Sequence, residues 1–431
     1  MRWSIVLVFF SIAACFGDGG STAPPPPANS PPVISNLDVS PSAVEVTPPG
    51  QQITLSGTAD FTDRDGNPDT VTLTVTDSEG NVIVSQTTTV PSVSGVTAGT
   101  VQGQIIVDAS VVGDYALDVY VTDARGARSN TLNGLFRILE PAWLSRTPMP
   151  IPRPGFATAV LDGEIYVLGG LDPTLPPTPE PATTTVQIYD PATDTWTMGP
   201  GMSVAQYNHR AATANGKIYV FAGEPDFGVR GGFVQVFDPA TQDWSDAGAA
   251  DMPDSRNRVA GTSHEGRVYS AGGSEGDMPI SSLLVYDPVL NTWGAGAPMS
   301  ESRFSAGAVS LGDRIFVYGG YTSTHVSDAG FRRLLESYDP VMDTWMTLAD
   351  GLPRADFGMA VHDGLIYAFG GNNLASSLDW VEAYDSATDS WLGKQSMPIE
   401  LGFVRAETNG NSIYVFGVEN TFKYTPANDL D

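Results

Sequence analysis

One phrase recurs through most of the chain and constrains what it can fold into. Ile165-Tyr166-Val167-Leu168-Gly169-Gly170 returns at 218–223, 268–273, 315–320, 366–371 and 413–418, six copies spaced 47 to 53 residues apart. Self-similarity at such a period marks a repeat architecture, in which no unit buries its apolar face alone. Each copy is followed by an aromatic residue, Tyr189, Phe237, Tyr286, Tyr338, Tyr384 and Tyr424, joined to Asp in the first five. Seven residues later stands a tryptophan in five copies: Trp196, Trp244, Trp293, Trp345 and Trp391. In the sixth that position is Asp431, the last residue, and the missing tryptophan is expected to be Trp143, 26 residues before Gly169.

With 46 Gly, 33 Pro and only 16% charged residues, turns are dense and long amphipathic helices scarce, so the chain reads as all-β. The glycine pair, aromatic and tryptophan together resemble the kelch repeat over 141–431. That resemblance implies a six-bladed kelch β-propeller of four-stranded blades, its last blade completed by a strand around Trp143. Ahead of it, 33–140 alternates apolar and polar residues, as in Val71-Thr72-Leu73-Thr74-Val75 and Tyr115-Ala116-Leu117-Asp118-Val119. Such runs between turn clusters read as a sandwich of about seven strands, and the segment resembles bacterial immunoglobulin-like domains.

The N-terminal end reads as an export signal. An apolar run from Trp3 to Ile12 is too short for a membrane-spanning helix but suits a signal-peptide core. Ile12-Ala13-Ala14-Cys15 resembles the bacterial lipobox, which implies cleavage after residue 14, acylation of Cys15 and a lipid-anchored place in the bacterial cell envelope. Residues 15–32, rich in Gly and Pro, then form a tether. Cys15 is the chain's one cysteine, which excludes an internal disulfide framework, cysteine-ligated zinc and iron-sulfur clusters.

Charge narrows the partners. Asp+Glu of 49 against Lys+Arg of 21 gives −28, so a nucleic acid or an anionic bilayer surface is repelled, and the membrane is reached through the lipid anchor only. In the sandwich, Asp60, Asp63, Asp65, Asn67 and Asp69 surround Gly66, with Asp123 a further oxygen donor where the loops meet. Two readings stand: a Ca²⁺ site, since hard cations take oxygen ligands at such spacing, or a polar turn capped by its own side chains. No cofactor is otherwise required.

In an up-and-down blade, the loop between strands two and three shares a face with the link to the next blade. The turns between strands three and four are nearly uniform, whereas the 2-3 loops vary. The links hold Arg153, Arg210, Arg256, Arg258, Arg303, Arg354 and Arg405, with Phe156, Tyr207, Phe304, Phe357 and Phe403 beside them. Such a ring reads either as a binding surface for an acidic glycan or peptide or as a set of arginines bonded to neighbouring backbone. The leading expectation is an exported, lipid-anchored recognition protein binding a protein or glycan through this face. An alternative is a sugar-modifying enzyme like the bacterial sialate epimerases, with Glu224, Asp226, Asp356 or Glu407 and His209 as candidate bases. A non-binding scaffold is the third reading. The copper-radical oxidases of this fold need a Cys-Tyr crosslink, which this chain cannot supply.

Overall fold

The computed structural model describes residues 12–13, 29–46, 51–90, 97–109, 111–173, 181–225, 231–245, 248–276, 278–322, 330–374 and 376–429. Cys15, most of the tether and Asp226 lie outside the described residues. The chain divides into two units between Pro141 and Ala142.

In the first unit the alternating segments form two sheets. One orders Val33–Ser40, Gln51–Thr62 and Ala98–Ala109, with Ile12–Ala13 paired to its far edge. The other orders Ala43–Glu45, Leu132–Leu139, Gly113–Asp123, Pro68–Thr76 and Val82–Thr89. Along Gly113–Asp123 the residues Tyr115, Leu117, Val119 and Val121 are buried and those between are more exposed. They meet Phe61, Ile105 and Phe136 in one core, as period-2 side chains on facing sheets must.

The acidic loop carries local caps. Asp63 is buried, and its carboxylate accepts the backbone N–H groups of Asp65 (3.1 Å) and Asn67 (2.9 Å). Asp123 holds Arg125 and Ala127 in the same way (2.9 and 2.8 Å), and the loops do meet, since Ala124 N–H donates to the Asn67 carbonyl at 2.9 Å. Asp60 accepts from Asn36 and Thr100 and Asp69 is exposed, whereas Asp65 Oδ1, Asn67 Oδ1 and Asp123 Oδ2 are buried with no hydrogen-bond partner among the described residues. Among the described residues no three His, Cys, Asp or Glu side chains come together as a metal centre.

The second unit is a ring of six four-stranded antiparallel sheets. Their inner strands are Ala157–Leu161, Arg210–Ala214, Ala260–His264, Gly307–Leu311, Gly358–His362 and Arg405–Asn409. Each packs on the next, and the first packs on the last, around a central channel of about 350 Å³. The sixth sheet takes its outer strand, Trp143–Arg146, from the other end of the propeller sequence: Trp143 pairs with Tyr424 and Arg146 with Thr421. Closure of this kind completes the sixth sheet and ties the two ends of the propeller sequence together.

Two devices fasten blade to blade. At the outer side, every repeat tryptophan donates its indole N–H to a backbone carbonyl of the preceding blade: Trp143 to Gln395 (3.1 Å), Trp196 to Thr147 (2.9 Å), Trp244 to Pro200 (2.9 Å), Trp293 to Ala250 (2.9 Å), Trp345 to Ala297 (2.7 Å) and Trp391 to Ala349 (2.9 Å). At the inner side, the second glycine of each pair receives the next link. Gly170, Gly223, Gly273, Gly320 and Gly371 have φ from +89° to +102° and donate their N–H to the carbonyls of Gln206, Arg256, Arg303, Arg354 and Leu401 at 2.8 or 2.9 Å. A Cβ on Gly170, Gly273, Gly320 or Gly371 would stand 2.7 or 2.8 Å from the carbonyl oxygen of Pro154, Asn257, Phe304 or Ala355. Both the φ and the approach therefore require glycine.

Trp143 is buried and packs edge-on to Phe369 and Phe422. Trp143→Ala should cost about 3–5 kcal/mol through the lost ring and the unpaired Gln395 carbonyl. Denaturant unfolding of the propeller reads this, and a loss below about 1 kcal/mol would contradict closure through this strand.

Candidate functional site

The six links run in register as 153–157, 206–210, 256–260, 303–307, 354–358 and 401–405, and each position has its own task. The third residue, Gly155, Asn208, Arg258, Ser305, Asp356 or Phe403, has φ between +51° and +73° in all six. That turn aims one link's carbonyl at the next. Asn208, Arg258, Ser305 and Asp356 donate their N–H to the carbonyls of Gly155, Asn208, Arg258 and Ser305, and Val404 N–H reaches Asp356, at 2.8–3.0 Å. The links thereby form a collar around one mouth of the channel.

The first position holds Arg153, Arg256, Arg303 and Arg354, all fully buried. They are braces rather than a binding surface. Arg153 Nη2 donates to the carbonyls of Val167 and Thr185 (3.0 and 3.2 Å), Arg303 Nη1 to Leu334 (2.8 Å), and Arg354 Nη1 to Gly370 and Trp380 (both 3.1 Å). Arg256 reaches Gly272 and Ser282 in the same way (3.2 and 3.3 Å). Three of them also hold a carboxylate: Arg256 with Asp254, Arg303 with buried Glu336, and Arg354 with Glu382. Each thus ties the end of its blade's second strand to the start of the third. The expectation that these four present guanidinium groups to a ligand is corrected by their burial. Phe156, Tyr207, Phe304 and Phe357 are likewise buried, so they fill the collar instead of offering faces for stacking. Phe403 alone of the link aromatics is exposed.

Arg210 and Arg405 occupy the fifth position, where the other blades have Ala157, Ala260, Gly307 and Gly358. Both keep some exposure, and both line a cavity of about 70 Å³ at the collar together with Thr158 and Glu407. Burial, then the neighbouring Arg405 charge, pushes Arg210 well below the usual guanidinium range, and Asp356 on the collar opposes this. Arg405 is lowered by burial and held up by Asp356 and Glu407. Burial raises Glu407 to about 7 although it accepts a hydrogen bond from Thr158 at 2.7 Å. Position-by-position alignment of the links would have separated these two arginines from the braces, which adjacency to an aromatic did not.

The other candidate bases are occupied or displaced. Glu224 is buried under Tyr207 (2.8 Å) and Asn257, and His209, fully buried, is held neutral with its pKa pushed down to about 3, chiefly by burial. Arg258 sits on the collar 5.9 Å from the centre of the Phe304 ring. Replacing a brace should unfold the ring and replacing a channel arginine should not. Arg303→Ala leaves Glu336 buried without its partner and should cost about 3–5 kcal/mol, whereas Arg405→Gln relieves repulsion and should hold or raise the melting temperature. Equal losses for the two would contradict this division.

The sequence and fold comparisons agree with the geometry. The model described as the KLHDC2/KLHL20/DRC7 Kelch-repeats domain matches residues 155–350, and the Kelch motif matches 353–398. Similar curated proteins include Kelch-like protein 36 of Bos taurus, 30% identical over 61% of this chain and 43% of that protein, and Beta-scruin of Limulus polyphemus, 27% identical over 60% and 30%. The chain spans less than half the length of these relatives. Among solved structures, one titled "Structure of YjhT" superposes with a TM-score of 0.52 at 15% identity, covering 64% of this chain and 95% of that one, a likeness of fold. The chain is a kelch-repeat protein, and its second unit is the kelch β-propeller.

Proposed function

We propose that this protein is an exported, lipid-anchored recognition protein whose propeller binds a protein or glycan ligand on its link face. Kelch-repeat relatives support an interaction propeller. The observation that carries the choice of face is the contrast between the propeller's two ends. At the 3-4 end the same clasp repeats: Tyr189, Tyr286, Tyr338 and Tyr384 each donate to an Asp or Asn five residues on, at 2.7 Å. Uniform hydrogen bonding of this kind serves the blade. The link end instead combines loops of unequal length with unlike residues at equivalent places, including exposed Phe403 and half-buried Arg258, as a specificity surface requires.

A glycan and peptide array tests the face. Binding should be lost in Phe403→Ser and Arg258→Ser and kept in Val341→Ser, an exposed residue of a 3-4 turn. Loss only in the turn variant would overturn the assignment. A second reading, a sialate epimerase, is favoured by Glu407, a carboxyl near neutrality beside Arg405 in the channel; it requires faster interconversion of sialate anomers with the protein than without. The anchor is tested separately. Expressed in a bacterial host, the full chain should take up labelled fatty acid and Cys15→Ser should not; an unlabelled wild type would refute lipidation.

A further inference from the structure

We propose that the acidic end of the sandwich is a Ca²⁺ site, made by the side-chain oxygens of Asn29, Asp65, Asn67 and Asp123. It is independent of what the propeller binds.

Three stretches of chain meet there. Ser30 N–H donates to Asp65 Oδ2 at 3.1 Å, which brings the segment entering the sandwich onto the 63–67 loop. Ala124 N–H donates to the Asn67 carbonyl at 2.9 Å, and Arg125 Nη1 lies 3.9 Å from Asp65 Oδ2, which brings up the 123–127 loop. This junction holds more oxygen than the protein's own donors use. Asn29 Oδ1, Asp65 Oδ1, Asn67 Oδ1 and Asp123 Oδ2 are all buried without a hydrogen-bond donor among the described residues. Asp123 is 2% exposed and the Asp65 side chain 5%. A buried carboxylate oxygen with nothing to accept from is costly, and oxygens gathered in one enclosed place repel one another until a cation lies among them.

The other capped turns of the unit show what a turn alone requires. Asp77 Oδ1 accepts the N–H groups of Glu79 and Asn81 (3.0 and 2.8 Å), and its Oδ2 accepts the Asn81 side-chain amide at 3.0 Å, so both oxygens are used. Asp63 likewise gives one oxygen to Asp65 N–H and the other to Asn67 N–H. Asp123 instead takes both of its backbone bonds, from Arg125 and Ala127, on Oδ1 and leaves Oδ2 buried and unused. Capping does not account for that oxygen.

The donor set selects the ion. All four atoms are hard oxygens, two from carboxylates and two from amides, with no nitrogen or sulfur to favour a transition metal. Ca²⁺ takes carboxylate and amide oxygens in irregular geometry and completes its shell with carbonyls and water, whereas Mg²⁺ demands a near-ideal octahedron. Charge agrees: the carboxylates of Asp63, Asp65 and Asp123 against the Arg125 guanidinium leave two negative charges, which one divalent cation cancels. Asp63 supplies charge and no ligand, because both its oxygens hold backbone N–H groups. Asp60 is engaged by Asn36 and Thr100 and Asp69 is exposed, so neither takes part. Bound Ca²⁺ clamps Asn29, where the tether meets the sandwich, to both loops.

The probe is Ca²⁺ itself, titrated calorimetrically into the full chain after chelator treatment, at constant ionic strength. The wild type should show saturable binding that weakens by about tenfold or more in Asp65→Asn and in Asp123→Asn. Both variants keep an acceptor for the backbone N–H groups, and circular dichroism establishes that they are folded. Asp77→Asn, in the fully satisfied turn, should bind as the wild type does, and equimolar Mg²⁺ should not displace Ca²⁺. Hydrogen exchange of the wild type needs no variant: Ca²⁺ should slow the amides of 29–34, 63–69 and 123–130. Absence of saturable binding, equal binding in the wild type and Asp123→Asn, displacement by equimolar Mg²⁺, or exchange in these three stretches that Ca²⁺ leaves unchanged would overturn the proposal.

Discussion

Everything in the propeller depends on how closely one link's backbone is pressed against the glycine pair of the blade before it. A side chain at the second glycine would stand inside the carbonyl oxygen it now faces, and its left-handed φ disfavours any L residue. That approach puts the glycine N–H on the carbonyl of the first link residue, and two residues further on the left-handed turn hands the chain to the next link. The collar is therefore built from backbone alone. Its geometry repeats whatever side chains it carries, so those side chains are free to differ.

This freedom explains why seven arginines in similar stretches do different things. At the first link position a guanidinium group reaches the carbonyls left over where the second and third strands diverge, and for Arg256, Arg303 and Arg354 a carboxylate also offsets its charge. At the fifth position the chain has entered the inner strand, and the same residue type lines the channel, where Arg210 and Arg405 each donate to the carbonyl of the residue before them. One residue type four link positions apart is a brace in one place and a channel-lining cation in the other. Glu407 follows the same logic from the acidic side, a carboxyl whose burial is answered only by Thr158 and by a guanidinium at a distance.

The fold was legible in the sequence because its determinants are local and repeated. The glycine pairs, the aromatic-Asp turns and the tryptophans each meet a partner at a fixed offset, so the periodicity carried the blades, and the displaced Trp143 pointed to the strand that completes the sixth sheet. The sandwich followed from alternation, and the backbone caps in its acidic loop from the habit of Asp and Asn to cap turns. The site was less legible. Adjacency of arginine to an aromatic ring marks the links but not the direction of the side chain, which depends on a left-handed residue in the middle of each link. No composition or spacing distinguishes Ser305 or Phe403 as residues of that kind. Burial of Phe156, Tyr207, Phe304 and Phe357 was equally hidden, since the sequence does not separate them from exposed Phe403.

If the collar is the joint on which the blades depend, its amides must open only when the whole ring opens. Native-state hydrogen exchange measures this at Asn208, Arg258, Ser305, Asp356 and Val404, whose N–H groups make the link-to-link bonds. The expected result is that all five exchange with one free energy, equal to that of global unfolding of the propeller and shared by the inner-strand amides. Collar amides that exchange at low cost while the inner strands stay protected would contradict the account.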